Sequence, residues 1–174
     1  MREIIRKHKH YILPICLILV LSFSRTIPHP WNFSPILAAG IFSGFYFRQF
    51  ILSSLIVVLS MFIGDLYLGF HDTMIFTYIS LIVAVSLGLF IKNLKFTSIL
   101  FSGILSSISF YIITNFGAWL TLPMYEKTFS GLVQSYILAI PFFHNTLIST
   151  LLYLLILKLI FDFSIKRVSP KTTF

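Results

Sequence analysis

Residues 131–161 form an apolar run of 31 positions in which Lys158 is the only charged residue. As one helix the run would measure roughly 46 Å, well beyond a bilayer hydrocarbon core. Pro141 predicts a kink inside it, with the first part lying along the outer interface or dipping inward. Five further apolar segments precede it, and together they predict spans over 11–24, 36–47, 50–68, 74–91, 96–115 and 132–161. Hydrophobic residues make up 57% of the chain and charged residues 10%, and the mean hydropathy is +0.96. In water such a chain would leave much apolar surface facing solvent. The runs are continuous rather than alternating, which argues against an outer-membrane barrel. The predicted fold is an all-α membrane protein, a bundle of about six transmembrane helices in one domain over 1–174, with both termini cytoplasmic.

The segments are separated by clear punctuation. The basic lead of residues 1–10 before a short apolar run also resembles a signal peptide, but Arg25 and Pro28 follow where a small-residue cleavage site would be needed. An uncleaved first helix is expected, with Arg25 snorkelling to the interface. Pro28, Pro30 and Pro35 predict a stiff, extended loop over 25–35. Arg48 and Gln49 mark a turn, 69–73 a short polar loop, 92–95 another turn, and 116–130 a longer loop. The single cysteine, Cys16, excludes an intrachain disulfide and is expected to pack as a small side chain.

Charge orients the bundle. With the amino terminus inside, Arg2, Arg6, Lys7, Lys9, Arg48, Lys92, Lys95, Lys158, Lys166, Arg167 and Lys171 are cytoplasmic, while only Arg25 and Lys127 lie outside. Eleven positive residues against two is the asymmetry expected of an inner-membrane protein in this orientation. The net charge of +8 therefore reads as membrane anchoring rather than nucleic-acid binding.

This orientation gathers the chain's polar chemistry at the outer face. Arg25, His29, Trp31 and Asn32 fall in the first outer loop, Asp65, His71 and Asp72 at the second, and Asn115, Trp119, Tyr125 and Glu126 at the third. His144 and Asn145 follow Pro141, where an imidazole is expected to face other helices or a cavity. Each has a plainer reading: tryptophan and tyrosine as interfacial anchors, Asp65 as a helix-end partner, His71 and Asp72 as a solvated turn. An ionisable group within a span is nonetheless a functional candidate. Serines 102, 106, 107 and 109 read as helix-packing groups. No catalytic or phosphate-binding motif is present, so the chain reads as a non-enzyme without a bound cofactor. Energised transport would require a partner with ATPases.

The runs R-T-I-P-H-P-W-N-F-S-P and A-A-G-I-F-S-G, with D-L-Y-L-G-F-H (65–71), T-N-F-G-A-W-L (114–120) and A-I-P-F-F-H-N (139–145), resemble a family of small prokaryotic membrane proteins. That family is similar to the substrate-binding S components of energy-coupling-factor transporters, including a solitary vitamin B12 type. The resemblance implies six helices and capture of a vitamin such as a corrinoid from outside. It also implies a coupling transmembrane subunit with ATPases as a possible partner, and His71 as a candidate cobalt ligand. The first helix departs from the pattern: it lacks the alanine-x-x-x-alanine motif used for docking, and the nearest small-residue pair is Gly40 and Gly44.

The site expected for a small nutrient thus comprises Arg25, His29, Trp31, Asn32, Asp65, His71, Asp72, Asn115, Trp119, Tyr125, His144 and Asn145. A second reading is a non-transporting scaffold subunit of an envelope or cell-shape complex, which would show a closed outer face. A third, a membrane enzyme, would need His29, His71 and Asp65 within reach of one metal.

Overall fold

A computed structural model of the protein describes residues 15–168, with side chains through Phe163. The basic lead, the start of the first predicted span and Lys171 lie outside the described residues. Those residues fold as seven helices and no strand: α1 (Ile15–Ser24), α2 (Ile36–Phe47), α3 (Phe50–Leu68), α4 (Met74–Phe90), α5 (Phe96–Thr121), α6 (Phe129–Leu138) and α7 (Ile140–Val168). Three are long and apolar enough to cross a bilayer: α3, α5 and the Ile140–Phe163 part of α7.

Two helices differ from expectation. Helix α5 continues six residues past 115, because 116–121 contains no proline and its Gly117 is packed against the Phe76 ring; it stops where Pro123 holds Leu122 in an extended conformation. The long apolar run is not one kinked helix but two. Proline at 141 has no N–H to offer the carbonyl four residues back, and its ring would collide with that carbonyl. Helix α6 therefore ends at Leu138, and α7 starts afresh at Ile140 with Pro141 in its first turn, where no N–H is needed. Helix α7 then runs past 161 into the basic tail.

Helix α2 sits at the centre, packed against α3, α4, α5 and α7. Its tightest partner is α4, and the reason is small residues on both. A methyl group added at Gly44 would overlap the Val85 carbonyl, and one at Gly88 would overlap the Ile41 backbone. Gly40 faces Ala84, with 3.3 Å between a built Cβ and the Ala84 Cβ. The Gly40–Gly44 pair is thus consumed inside the bundle by α4.

The distribution of side chains is inside-out relative to a water-soluble bundle. The interior holds Ser43, Ser53, Ser60, Ser80, Ser102, Ser106, Ser107, Ser149 and Thr150, while large apolar residues such as Ile51, Leu66, Ile75, Phe101, Ile148 and Leu159 face outward. Most of these hydroxyls donate to a carbonyl of their own helix, as Ser107 does to Gly103 O at 2.8 Å. Others cross between helices: Ser53 Oγ donates to Ser43 O at 2.9 Å and Ser22 Oγ to Ser60 O at 3.0 Å. Such bonds keep most of these polar groups satisfied away from water; Ser106 Oγ and Thr150 Oγ1 are buried without a partner among the described residues. Cys16, expected to pack, is exposed on α1.

The two ends of the bundle differ in chemistry. At one, Arg48 takes a left-handed conformation (φ 55°) after α2 and caps α4. Its guanidinium donates to Leu89 O at 2.8 Å and to Ile91 O, satisfying carbonyls that a helix end leaves open. Lys92 and Lys95 share this end. At the other lie the 25–35 loop, the 69–73 turn, α6 and the start of α7.

Candidate functional site

Arg25 decides the geometry of this second end. It was placed by sequence at the interface, yet its side chain turns inward and is 15% exposed. One residue past α1, it crosses to the last two turns of α3, where Nη1 donates to Met61 O at 2.7 Å and meets Asp65 Oδ1 at 2.7 Å. Asp65 is fully buried, and its other oxygen accepts from the Tyr78 hydroxyl of α4 at 2.7 Å. An isolated carboxylate at that depth would be strongly unfavourable; a guanidinium and a phenol together make it tenable. Room for Arg25 comes from Gly64, where an added Cβ would overlap the guanidinium and lie 3.0 Å from Arg25 Cδ.

Above this pair is a half-enclosed cavity of about 400 Å³. The 25–35 loop roofs it with Arg25, Thr26, Ile27, Pro28, His29, Trp31, Asn32 and Ser34; α2 supplies Ile36 and Leu37, α3 Met61 and Leu68, α4 Thr77, α5 Phe110, and α7 Thr146 and Ser149. Five helices and the loop therefore converge on one space. A second cavity of about 40 Å³ adjoins it through shared Asn32, Phe110 and Thr146, and is lined also by Asn115.

The roof is held by its own chemistry. Its prolines restrict the loop, and Asn32 adopts φ 60°, a left-handed conformation that asparagine tolerates better than most residues. Asn145 Nδ2 of α7 donates to Trp31 O at 3.0 Å, pinning the loop across the bundle. His29 Nδ1 lies 2.9 Å from Pro30 O, a contact that needs a proton on Nδ1. The Trp31 indole is 80% exposed at the mouth.

The residues expected from sequence thus divide. Arg25, His29, Trp31 and Asn32 line the cavity, Asp65 and Asn145 fix parts of its wall and roof, and Asn115 borders the annex. The others stand apart. His71 and Asp72 are exposed, His71 Nδ1 being 2.9 Å from Thr73 Oγ1, and neither lines the cavity. Trp119 Nε1 donates to Glu126 O at 2.9 Å, and Lys127 Nζ donates to Trp119 O and, at 3.0 Å, to Leu122 O. Tyr125 is buried in the same turn. These contacts tie down the end of α5, and none of these residues lines the cavity. His144, expected in the interior, is exposed beside the Phe143 ring, because the break before Pro141 starts a new helix with its own facing. Among the described residues, no three His, Cys, Asp or Glu side chains come together as a metal site, so His29, His71 and Asp65 do not assemble.

Sequence reading missed Tyr78, Thr77, Thr146 and Ser149. Single hydroxyls on apolar helices look the same whether they back-bond to their own helix or face a cavity; Thr77, Thr146 and Ser149 do both, while Tyr78 reaches across to Asp65. Thr146 Oγ1 donates to Phe142 O at 2.9 Å and Ser149 Oγ to Thr146 O at 3.1 Å, leaving lone pairs for a ligand.

Residues 6–172 match DUF6580, a family of unknown function. The chain belongs to this family. No curated protein and no solved structure matched it, so the site of this DUF6580 protein is read from its own geometry.

Proposed function

We propose that this DUF6580 protein is an inner-membrane binding protein that captures a small nutrient in the cavity beneath the 25–35 loop, in the manner of a transporter S component. The observation that carries the reading is the cavity itself: about 400 Å³, half-enclosed, apolar over most of its lining, with a few convergent polar groups. These are the usual attributes of a small-molecule site. In the proposed topology α1, α2 and α4 join α3, α5 and α7 as six spans, α6 lies at the outer interface, and both termini are cytoplasmic. Eleven positive residues against two support that orientation. It puts the cavity mouth on the outer side.

The cavity volume favours a compact vitamin-like molecule over a corrinoid, whose macrocycle and nucleotide arm need more room. The position of His71 outside the lining points the same way. An open cavity also favours ligand capture over the scaffold reading, which calls for a closed outer face. Because Gly40 and Gly44 are consumed by α4, they do not offer a coupling subunit a docking stripe.

The test is a thermal-shift screen of the purified full chain in nanodiscs against vitamins and related nutrients, corrinoids included. A hit is expected for a compact ligand. Leu68→Trp, at a half-exposed position on the cavity wall, should abolish that shift, while His71→Ala should leave it unchanged. No shift for any compound, or a shift insensitive to Leu68→Trp, would refute the assignment.

A further inference from the structure

Resting on the reading of the cavity as a ligand site, we infer that its ligand is a compact monocarboxylate: an apolar body carrying one carboxylate that Arg25 receives. Arg25 is held by one edge only. Nη1 is engaged by Met61 O and Asp65, while Nη2 and Nε have no protein acceptor among the described residues. A guanidinium presents five N–H groups in a rigid fork suited to two carboxylate oxygens. Asp65 therefore fixes and offsets the charge of Arg25, a residue of the cavity wall, without engaging Nη2 or Nε.

The adjacent floor adds a donor. Ile36 and Leu37, the first residues of α2, line the cavity. A helix leaves its first N–H groups without intrahelical acceptors. Here the Ile36 N–H donates to Ser34 Oγ at 3.2 Å and the Ala39 N–H to Pro35 O at 2.9 Å, which leaves that of Leu37, a residue of the cavity wall, to a ligand or solvent acceptor. Partial positive charge at a helix start favours an anion.

The same lining argues against other classes. No carboxylate side chain lines the cavity, so a cationic ligand would find a guanidinium on the wall and no lining carboxylate to pair with. A ligand without an acceptor would displace water from guanidinium N–H groups without replacing its bonds, and a neutral acceptor such as an amide would replace them more weakly than a carboxylate. Ile27, Ile36, Leu37, Met61, Leu68 and Phe110 suit an apolar ring or chain. A single arginine suits one negative charge better than two.

The experiment is calorimetric titration of the full chain in nanodiscs with benzoate, nicotinate and indole-3-acetate, each against its amide. At least one acid should bind, and its amide about tenfold to a hundredfold more weakly, the range expected for losing a charge-assisted pair. Arg25→Gln with Asp65→Asn, which removes both charges together, should erase the acid preference while the chain still unfolds cooperatively. Should that variant not fold, the acid–amide comparison in the natural chain decides alone. Absence of binding by every acid, or equal binding of acids and amides, overturns the inference. If amides or other neutral nutrients bind and Leu68→Trp abolishes their binding, the cavity remains a ligand site and only the carboxylate class falls. If no nutrient binds at all, both readings fall.

Discussion

Asp65→Ala is expected to destabilise the protein by about 3–5 kcal/mol, the largest effect of any single exchange at the site. The substitution leaves Arg25, 85% buried, without its counter-charge, and takes the acceptor from the Tyr78 hydroxyl. Removing one member of a buried pair costs more than removing both, because the survivor stays desolvated and unpaired. Asp65→Asn should be milder, since an amide oxygen still accepts from Tyr78. Arg25→Met with Asp65→Leu should recover most of the stability lost in Asp65→Ala, and should lose ligand binding. Thermal unfolding of the four proteins in one nanodisc composition checks the order. If Asp65→Ala melted with the natural chain, the ion pair would have no structural role, and the roof of the cavity would need another anchor.

Gly88→Ala is expected to be the most damaging small exchange in the interior, at about 1–3 kcal/mol. Its Cβ would overlap the Ile41 carbonyl and lie 3.0 Å from Ile41 Cα. Both are backbone atoms of α2, so no rotamer change relieves the collision, and α2 and α4 must separate. Gly40→Ala provides the contrast. Its nearest neighbour is the Ala84 side chain at 3.3 Å, so a shift of a few tenths of an ångström suffices. Because α2 also floors the cavity, Gly88→Ala should weaken ligand binding from a distance. Equal melting temperatures for the two variants would contradict the close backbone crossing described for these helices.

Much of the fold was legible from sequence where breakers bound the apolar runs. Helices α2 and α3 coincide with the predicted segments because Pro35, the Arg48–Gln49 turn and Gly69 stop them sharply. The misses have local causes. Asn115 looked like a helix end, yet its side chain donates to Tyr111 O at 2.7 Å inside α5, so a polar residue was absorbed by back-bonding. Pro141 was read as a kink, and the chain instead breaks and restarts. The cavity end was legible in its prolines, Arg25 and Asp65, but not in their connection. Snorkelling is the ordinary fate of an arginine at a span end; only the placement of Gly64 and Asp65 on the facing side of α3 makes inward burial possible. His71 and His144 stood out by residue type alone, and type does not report facing.

The central claim is that a small molecule binds beneath the 25–35 loop. The chain has two tryptophans, Trp31 and Trp119, and only Trp31 lines the cavity. In Trp119→Phe, emission therefore reports from the mouth alone. Titration with a nutrient that shifts the melting temperature should move Trp31 emission to shorter wavelength, with a midpoint matching the calorimetric one, and Leu68→Trp/Trp31→Phe should bind nothing. Saturating binding that leaves Trp31 emission unchanged would place the ligand elsewhere and contradict the account.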